Sequence, residues 1–410
     1  MMRVASVVVI ALASCRSGSP GGDAGRASVM DAADADGAVP DVGRDVPPGP
    51  PWEGGTWRLP WRDGGMANAP PRCGMATPIS PYTAINSTGM CFLRDSIVSA
   101  GSNAWNWFGR DGGLIGVIEG RPDGIATNLG CHVGGVVAGV TSFRRGSTAL
   151  MIFESPSADG RVVWQQEIER SQNAREEGVG IIEATPEMIL YELWLPGDTG
   201  FRVAGPNGEH PRMPRSIFNG LRGEHPDTVQ AQGNRALMAV VGDIYLYTDD
   251  PPGDGTFENL SQHPADQVYA WMDGRYVTWI DYRHTRATWS SPGNPEVYLY
   301  DRETRTATRV TYDPDDRPVV QRDPRVYGDW LVWIDQRNSP RPDVPTADQP
   351  AELRAMHIPT RREFTHFAPG FSLSAPVPSA DGIYLNCGQI GPERFFGVYR
   401  IPLPTLPAGS

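Results

Sequence analysis

The chain contains no lysine; all 36 of its basic residues are arginine. That absence excludes Schiff-base chemistry, Ser–Lys dyads and the phosphate-gripping lysine of a P-loop. A GC-rich coding sequence is a sufficient cause for it. A basic balance is missing too. The net charge is −12 and the pI near 5.1, which argues against nucleic acid as a partner, because phosphate binding needs a positive face. No apolar run is long enough to span a bilayer. Cys-x-x-Cys, His-x-His, His-Glu-x-x-His, Gly-x-Ser-x-Gly and Gly-x-Gly-x-x-Gly are all absent. With them go the common zinc sites, the hydrolase elbow and the dinucleotide fingerprint, so no metal and no cofactor is expected.

What is present begins with punctuation. The 47 glycines and 39 prolines are abundant for a globular chain but short of wholesale disorder, and between them lie many short β-type segments. The stretch Gly274-Arg275-Tyr276-Val277-Thr278-Trp279-Ile280-Asp281-Tyr282-Arg283 returns as Gly328-Asp329-Trp330-Leu331-Val332-Trp333-Ile334-Asp335-Gln336-Arg337, 54 residues later. Between the copies, Glu296-Val297-Tyr298-Leu299-Tyr300-Asp301 repeats Asp243-Ile244-Tyr245-Leu246-Tyr247 at an offset of 53. A fixed period near fifty, filled with about four short strands, reads as a propeller blade.

Weaker anchors start at Gly113, Gly160, Gly233 and Gly382 and, with the two strong copies, suggest six blades. The long gap from 160 to 233, which holds the strand-like Glu187–Leu195, leaves room for a seventh. The continuous run Tyr276–Ile280 fits a strand buried on both faces. In the next strand Val297 and Leu299 share one face and Tyr298 and Tyr300 the other, and Thr306, Thr308, Val310 and Thr311 supply a β-branched outer strand. The aromatic groups Trp52, Trp57, Trp61 and Trp105, Trp107, Phe108 suit the wedges between blades, with sugar stacking the alternative. Glycines 130 to 139 read as strand bends.

The order Tyr-Leu-Tyr-Asp, Arg-Val-Thr, a proline-containing loop, then Gly-Asp-x-Leu-Val-Trp-x-Asp-x-Arg resembles the repeats of TolB-like propellers, most clearly from Asp243 to Arg337. The resemblance implies an all-β propeller with a periplasmic or surface location and protein binding through the ring faces. No segment matches the separate α/β domain of TolB proper. Fold-level likeness fixes no single function.

At the start of the chain, Arg3 and the apolar run Val4–Ala13 make a secretory leader. Leu12-Ala13-Ser14-Cys15 resembles the bacterial lipobox, which implies that residues 1–14 are removed and Cys15 is lipidated. Arg16 in place of aspartate favours the outer membrane. Residues 15–51 are Gly, Asp, Ala and Pro with few large apolar groups, and read as a disordered tether. Asp31, Asp34 and Asp36 do not make an EF-hand, since Val42 stands where a bidentate glutamate belongs. Residues 52–410 are read as the propeller.

Four cysteines follow the leader: Cys73, Cys91, Cys131 and Cys387. In an oxidising compartment an even number favours disulfides, and three pairings are open. A bridge from Cys387, in the last repeat, to an N-terminal cysteine would clasp a ring shut.

The most regular polar pairs are Asp281/Arg283 and Asp335/Arg337. They are candidates for a binding face; alternatively each pair bonds within its own blade and recurs because the blade recurs. Seven scattered histidines offer no motif, although His210, His225, His263 and His284 could meet at an axis. The expectation is a non-catalytic binding or scaffold module, held to the membrane by its lipid and facing a protein or cell-wall polysaccharide. The alternative is a carbohydrate-active lyase or glycosidase needing paired carboxylates at the axial mouth. Its candidates are Asp249, Asp250, Asp254, Glu258, Asp313, Asp315 and Asp316, which cluster in loops. Axial carboxylates or histidines that depart from the repeat would favour the enzyme.

Overall fold

In the repeated strand the apolar residues are continuous because both of its faces are covered. Val277 and Trp279 pack toward the preceding sheet, with Leu237, Ala239 and Leu246, while Tyr276 and Ile280 pack toward the following one, with Leu331 and Trp333. The next copy behaves alike. Leu331 and Trp333 face backward and Val332 and Ile334 forward. The partner strand splits as its sequence requires, Tyr298 and Tyr300 to one side and Val297 and Leu299 to the other. Trp279 is fully buried, its ring 6.1 Å from that of Tyr298. Burying one such indole is worth about 4–6 kcal/mol from its area alone.

The computed structural model describes residues 73, 77–80, 90–92, 96–100, 104–109, 114–119, 125–132, 135–142, 147–155, 161–167, 178–194, 200–205, 228–250, 255–284, 295–313, 319–343, 349–390, 396–404 and 406. The N-terminal unit Met1–Trp57 lies outside them, and with it the leader, Cys15 and the tether. All regular structure described is β, within the unit Arg58–Ser410.

An opening strand β1 (Thr77–Ser80) is followed by sheet 1: β2 (Met90–Phe92), β3 (Ser96–Ala100), β4 (Ala104–Gly109) and β5 (Leu114–Glu119). Sheet 2 holds β6 (Ile125–His132), β7 (Gly135–Ser142), β8 (Ser147–Phe153) and β9 (Arg161–Glu167). Sheet 3 has three described strands, β10 (Gly178–Ala184), β11 (Ile189–Trp194) and β12 (Gly200–Ala204). Sheet 4 contains β13 (Thr228–Gln232), β14 (Arg235–Val240), β15 (Asp243–Thr248) and β16 (Thr256–Asn259). Sheet 5 contains β17 (Gln267–Asp273), β18 (Tyr276–Asp281), β19 (Glu296–Asp301) and β20 (Thr306–Arg309). In sheet 6 the strands are β21 (Gln321–Tyr327), β22 (Trp330–Asp335), β23 (Glu352–His357) and β24 (Arg362–Phe367). The last, sheet 7, runs β25 (Phe371–Ser379), β26 (Gly382–Gln389), β27 (Phe396–Ile401) and then β1. Every sheet is antiparallel, and sheets 1 to 6 are meanders.

The sheets contact one another in cyclic order, with the first strand of each against the first strand of its neighbour at β2–β6, β6–β10, β10–β13, β13–β17, β17–β21 and β21–β25. The ring closes where Ile97 of β3 packs among Ala375, Tyr384 and Val398 of sheet 7. The fold is a β-propeller with seven described sheets, one more than the six anchors suggested. The undercount has a clear cause. The anchors at Gly113 and Gly160 fall before outermost strands, β5 and β9, and not before second strands. Sheet 3, whose β11 lies within Glu187–Leu195, carries no anchor at all.

Closure is made twice. Antiparallel pairing of Thr77, Pro78 and Ser80 with Arg400, Tyr399 and Val398 lets the start of the domain complete its last sheet. The Cys73–Cys387 disulfide then bridges 314 residues of sequence, both cysteines being fully buried. This is the clasp expected for Cys387. Cys91 and Cys131 stand on β2 and β6, their side chains outside the described residues.

Candidate functional site at the ring axis and loop face

All first strands run the same way, so the ring has two distinct faces. The turns from first to second strand share one face, the turn face; Gly233, Gly274 and Gly328 hold left-handed φ there at 59°, 53° and 51°. A two-residue hairpin with a positive φ at its first position needs glycine. Hydrogen bonds staple this face from sheet to sheet: Thr185 Oγ1 to Gly233 O at 2.7 Å, Gln232 to Asp273, and Gly328 N to Asp273 Oδ2 at 2.6 Å. The opposite loop face carries the second-to-third loops and the connections between sheets, tied by bonds such as Tyr282 N to Asp266 O and Gln336 N to Val320 O.

Asp281 and Arg283 lie on the loop face, just past β18. Asp281 is buried and accepts from Trp279 Nε1 at 2.9 Å, Arg283 N at 2.9 Å, Arg283 Nε at 3.0 Å and Arg283 Nη2 at 2.7 Å. Arg283 rests over the Tyr298 ring at 4.5 Å, and that phenol meets His284 Nε2 at 2.6 Å. Asp335 and Arg337 repeat the arrangement at 2.9, 2.8 and 2.6 Å, and Arg337 also approaches Asp313 at 3.7 Å. The bonded Asp335 carboxylate holds the Arg337 guanidinium above its ordinary value. Each pair therefore bonds within its own sheet and shapes the loop that follows. In the strand register these acids sit opposite buried Glu296 and Glu352. Glu296 is held by Arg309, Thr311 and Asp313 N, though burial still raises its carboxyl above the usual range.

Five of the eight exposed large apolar side chains among the described residues belong to the loop face: Val241, Tyr269, Tyr312, Phe367 and Ile390. They come from consecutive sheets, 4 to 7. The turn-face rim is charged instead, with Arg275 on Asp301 and Glu303, and Arg305 on Glu258.

The axis shows a different pattern. Five first strands carry a bulge, in β6, β10, β17, β21 and β25, and in the last three it falls at the same register. In three of them the bulged residue is a non-glycine at positive φ: Tyr269 at 55°, Asp323 at 53° and Ala375 at 47°. Such backbone costs on the order of 1–3 kcal/mol and re-aims the side chain it carries. Two residues on, Trp271 and Arg325 occupy equivalent positions, and the Arg325 guanidinium lies 3.8 Å from the centre of the Trp271 ring. Asp323 accepts from Arg322 Nη1 and Ala375 N at 3.2 Å each. From sheet 3, Glu183 accepts the Ala231 N–H. Desolvation pushes the Glu183 carboxyl up to about 8 and the Arg325 guanidinium down to about 10. None of these axial residues was singled out by the sequence. The signal that could have found them is divergence between aligned first strands, Tyr269/Asp323/Ala375 and Trp271/Arg325/Val377.

The carboxylates proposed for an enzyme are placed elsewhere. Asp249 accepts from its neighbour Tyr247 at 2.6 Å beyond β15, Glu258 is on the outermost strand β16, and Asp313 is in the connection after β20. Asp254, Asp315 and Asp316 lie outside the described residues, as do His210 and His225. His263 accepts from Ala265 N within its own turn. Among the described residues no group of three or more His, Cys, Asp or Glu is placed to hold a metal. Trp107 and Phe108 are buried on β4, with Trp107 Nε1 donating to Ser96 at 2.7 Å; Trp52, Trp57 and Trp61 fall outside the described residues.

No family model matches the chain, and no curated protein matches its sequence. Solved structures do. The Pan2 WD40 domain of Neurospora crassa is 12% identical, with a TM-score of 0.48 over 80% of this chain and 90% of that one. An oligogalacturonate lyase of Vibrio parahaemolyticus is 9% identical, with a TM-score of 0.48 over 80% and 92%. TolB of Acinetobacter baumannii is 10% identical, with a TM-score of 0.36 over 65% and 63%. These likenesses concern the fold and leave the function to the chain's own residues.

Proposed function

We propose that the chain is an exported, lipid-anchored binding module that docks a protein or other cell-envelope partner on its loop face, without catalysing a reaction on it. One observation carries this reading: five of the eight exposed large apolar side chains among the described residues lie on that face, while charged rim residues of the opposite face are paired with one another. Apolar groups presented together mark interaction sites, and the two Asp–Arg pairs stiffen the loops beside them. The address in this reading rests on the leader and Cys15, through the lipobox resemblance of the residues quoted above.

The test is affinity capture from the native envelope with wild type, a Tyr312→Ser/Phe367→Ser double variant, and Tyr327→Ser on the turn face. A partner recovered by wild type and by Tyr327→Ser, and lost from the double variant, supports docking on the loop face. Equal recovery by all three refutes it. Metabolic labelling with radioactive palmitate that persists in Cys15→Ser refutes the anchor. The carbohydrate-active alternative draws on Glu183, an acid raised into the range a proton donor uses. Shortening of an acidic polysaccharide by wild type, abolished in Glu183→Gln, is the result that would favour it.

A further inference from the structure

Neighbouring sheets meet at seams, and the turn-face ends of two seams can be compared position by position. Between sheets 5 and 6 the positions are held by Tyr276, which opens β18, and Ile358, just past β23; both belong to one apolar cluster. Strand register gives the equivalent residues between sheets 4 and 5. Arg235 opens β14 two residues after Gly233, as Tyr276 opens β18 two residues after Gly274. Arg302 follows β19 as Ile358 follows β23, and each donates its backbone N–H to the residue after the hairpin glycine, at Arg275 O and Asp329 O. Side-chain alternation agrees with this register. Arg235 shares a strand face with Leu237 and Ala239, Arg302 continues the face of Tyr298 and Tyr300, and those four residues pack in the cluster between sheets 4 and 5. Where one seam is closed by a phenol against an isoleucine, the seam before it brings two guanidinium groups together.

Among the described residues neither Arg235 nor Arg302 has an ion-pair partner, because the acids around them are engaged elsewhere. Asp301 and Glu303 hold Arg275, Glu258 holds Arg305, and Asp273 accepts from Gln232 and Gly328 N. Asp249 accepts from Tyr247, which packs toward sheet 3, and Asp250 is exposed to solvent. Arg302 Nη1 donates to Gly274 O at 2.6 Å, and Gly274 N in turn donates to Gln232 Oε1 at 2.8 Å, which ties the guanidinium to the hairpin that leads into Arg235. Arg235 Nε is buried without an acceptor. Burial, and after it the like charge of Arg235, holds the Arg302 guanidinium below its ordinary value. Two unbalanced cations brought together repel, and an anion between them removes that cost. Both are partly exposed, so a solute reaches them from the turn face. We propose that this seam binds a phosphate group, paired with Arg235 and Arg302 and flanked by the hydroxyls of Thr248 and Thr256. Both threonines share the strand face of Arg235 through direct cross-strand pairing. The charge count selects the ligand. A phosphate monoester carries close to two negative charges above pH 7 and offers oxygens to two guanidinium forks at once. A carboxylate would leave one cation unbalanced.

The experiment is isothermal titration of the full chain at pH 8 with inorganic phosphate and with dihexanoyl phosphatidate, a soluble short-chain lipid. Acetate is the monoanion control and glycerol the neutral one. Expected is saturable binding of at least one phosphate probe, with acetate at least tenfold weaker and glycerol not bound. Arg235→Gln and Arg302→Gln should each weaken it tenfold or more. Arg275→Gln, on the same face but balanced by Asp301 and Glu303, should leave it within twofold. Either of the first two variants carries the test if the other does not fold. Uptake of inorganic phosphate shows that the free anion suffices; uptake of phosphatidate alone assigns a lipid headgroup. No saturable uptake of either probe at millimolar concentration overturns the proposal. So does acetate binding as tightly as phosphate, or an equal loss in all three arginine variants. The Tyr312→Ser/Phe367→Ser double variant should bind phosphate as wild type does, which separates this site from docking on the loop face.

Discussion

Cutting the Cys73–Cys387 bridge tests the ring closure directly. The bridge closes a loop of 314 residues in the unfolded chain. The chain-entropy relation for a loop of that length gives about 5–6 kcal/mol, near the top of what disulfides deliver. The native side adds little to oppose it, since both cysteines already sit in the core shared by sheets 6 and 7, beside Leu373, Leu385 and Tyr399. Unfolding a unit of this size releases an entropy of roughly 0.7 kcal/mol/K, so Cys387→Ser should lower the melting temperature by about 7 °C. The assay is a calorimetric melt of wild type with and without reductant, alongside the variant. Reduced wild type should melt with the variant. Hydrogen exchange adds a local readout. β1 is held to β27 by three paired positions with an irregularity among them, so without the bridge amides of β27 should exchange faster while those of β18 and β22 do not. A variant that melts within about 1 °C of oxidised wild type, with β27 still protected, would refute the view that the bridge restrains the closing sheet.

Other outcomes follow from the same structure. Trp279→Phe should cost about 1–2 kcal/mol more than Trp333→Phe in denaturant titrations, because Trp279 Nε1 bonds buried Asp281 while Trp333 Nε1 finds no acceptor among the described residues. Asp281→Ala should destabilise by about 3 kcal/mol or more and Arg283→Ala by less, since the acid is wholly buried and the arginine partly exposed; equal losses would contradict this. Glu183 gives a pH dependence. Burial raises its carboxyl from the ordinary 4.5 to about 8, so its contribution is fully present below pH 4.5 and is lost as pH rises to about 8. The linkage ceiling is about 5 kcal/mol, reduced by the solvent access the side chain keeps; Glu183→Gln should therefore be the more stable protein at pH 9 and flatten the profile between pH 5 and 9.

Legibility in the sequence followed burial. Sheets 4 to 7 could be read because their second strands are buried on both faces and show it as unbroken apolar runs, Trp279 and Trp333 marking the wedge. Sheets 1 to 3 could not, because the glycine anchors in sheets 1 and 2, Gly113 and Gly160, precede outermost strands and sheet 3 has none. Ring closure through Cys387 could be argued from the circular repeat, but the choice of Cys73 over Cys91 or Cys131 needs distances. The axial residues were hidden for another reason. The bulges at Tyr269, Asp323 and Ala375 insert an extra residue, and that shifts the alternation of two on which strand reading relies.

The contrast between the two kinds of position has a physical basis. A second strand meets the same surroundings in each sheet, a neighbour on either side, so the same side chains satisfy it and repetition is the stable solution. A first strand has an open edge toward the axis, where it faces strands from across the ring that have no fixed counterpart from one sheet to the next. Repeating one charge there would bring like charges together; a ring of arginines at the Arg325 position would repel at close range with little solvent to screen it. Trp271 beneath Arg325 relieves that problem because sheet 5 puts an indole where sheet 6 puts the guanidinium. The repeat must therefore break at the axis wherever a charge is kept there, and a charge kept buried beside a strained backbone is the feature of this ring that packing alone does not require.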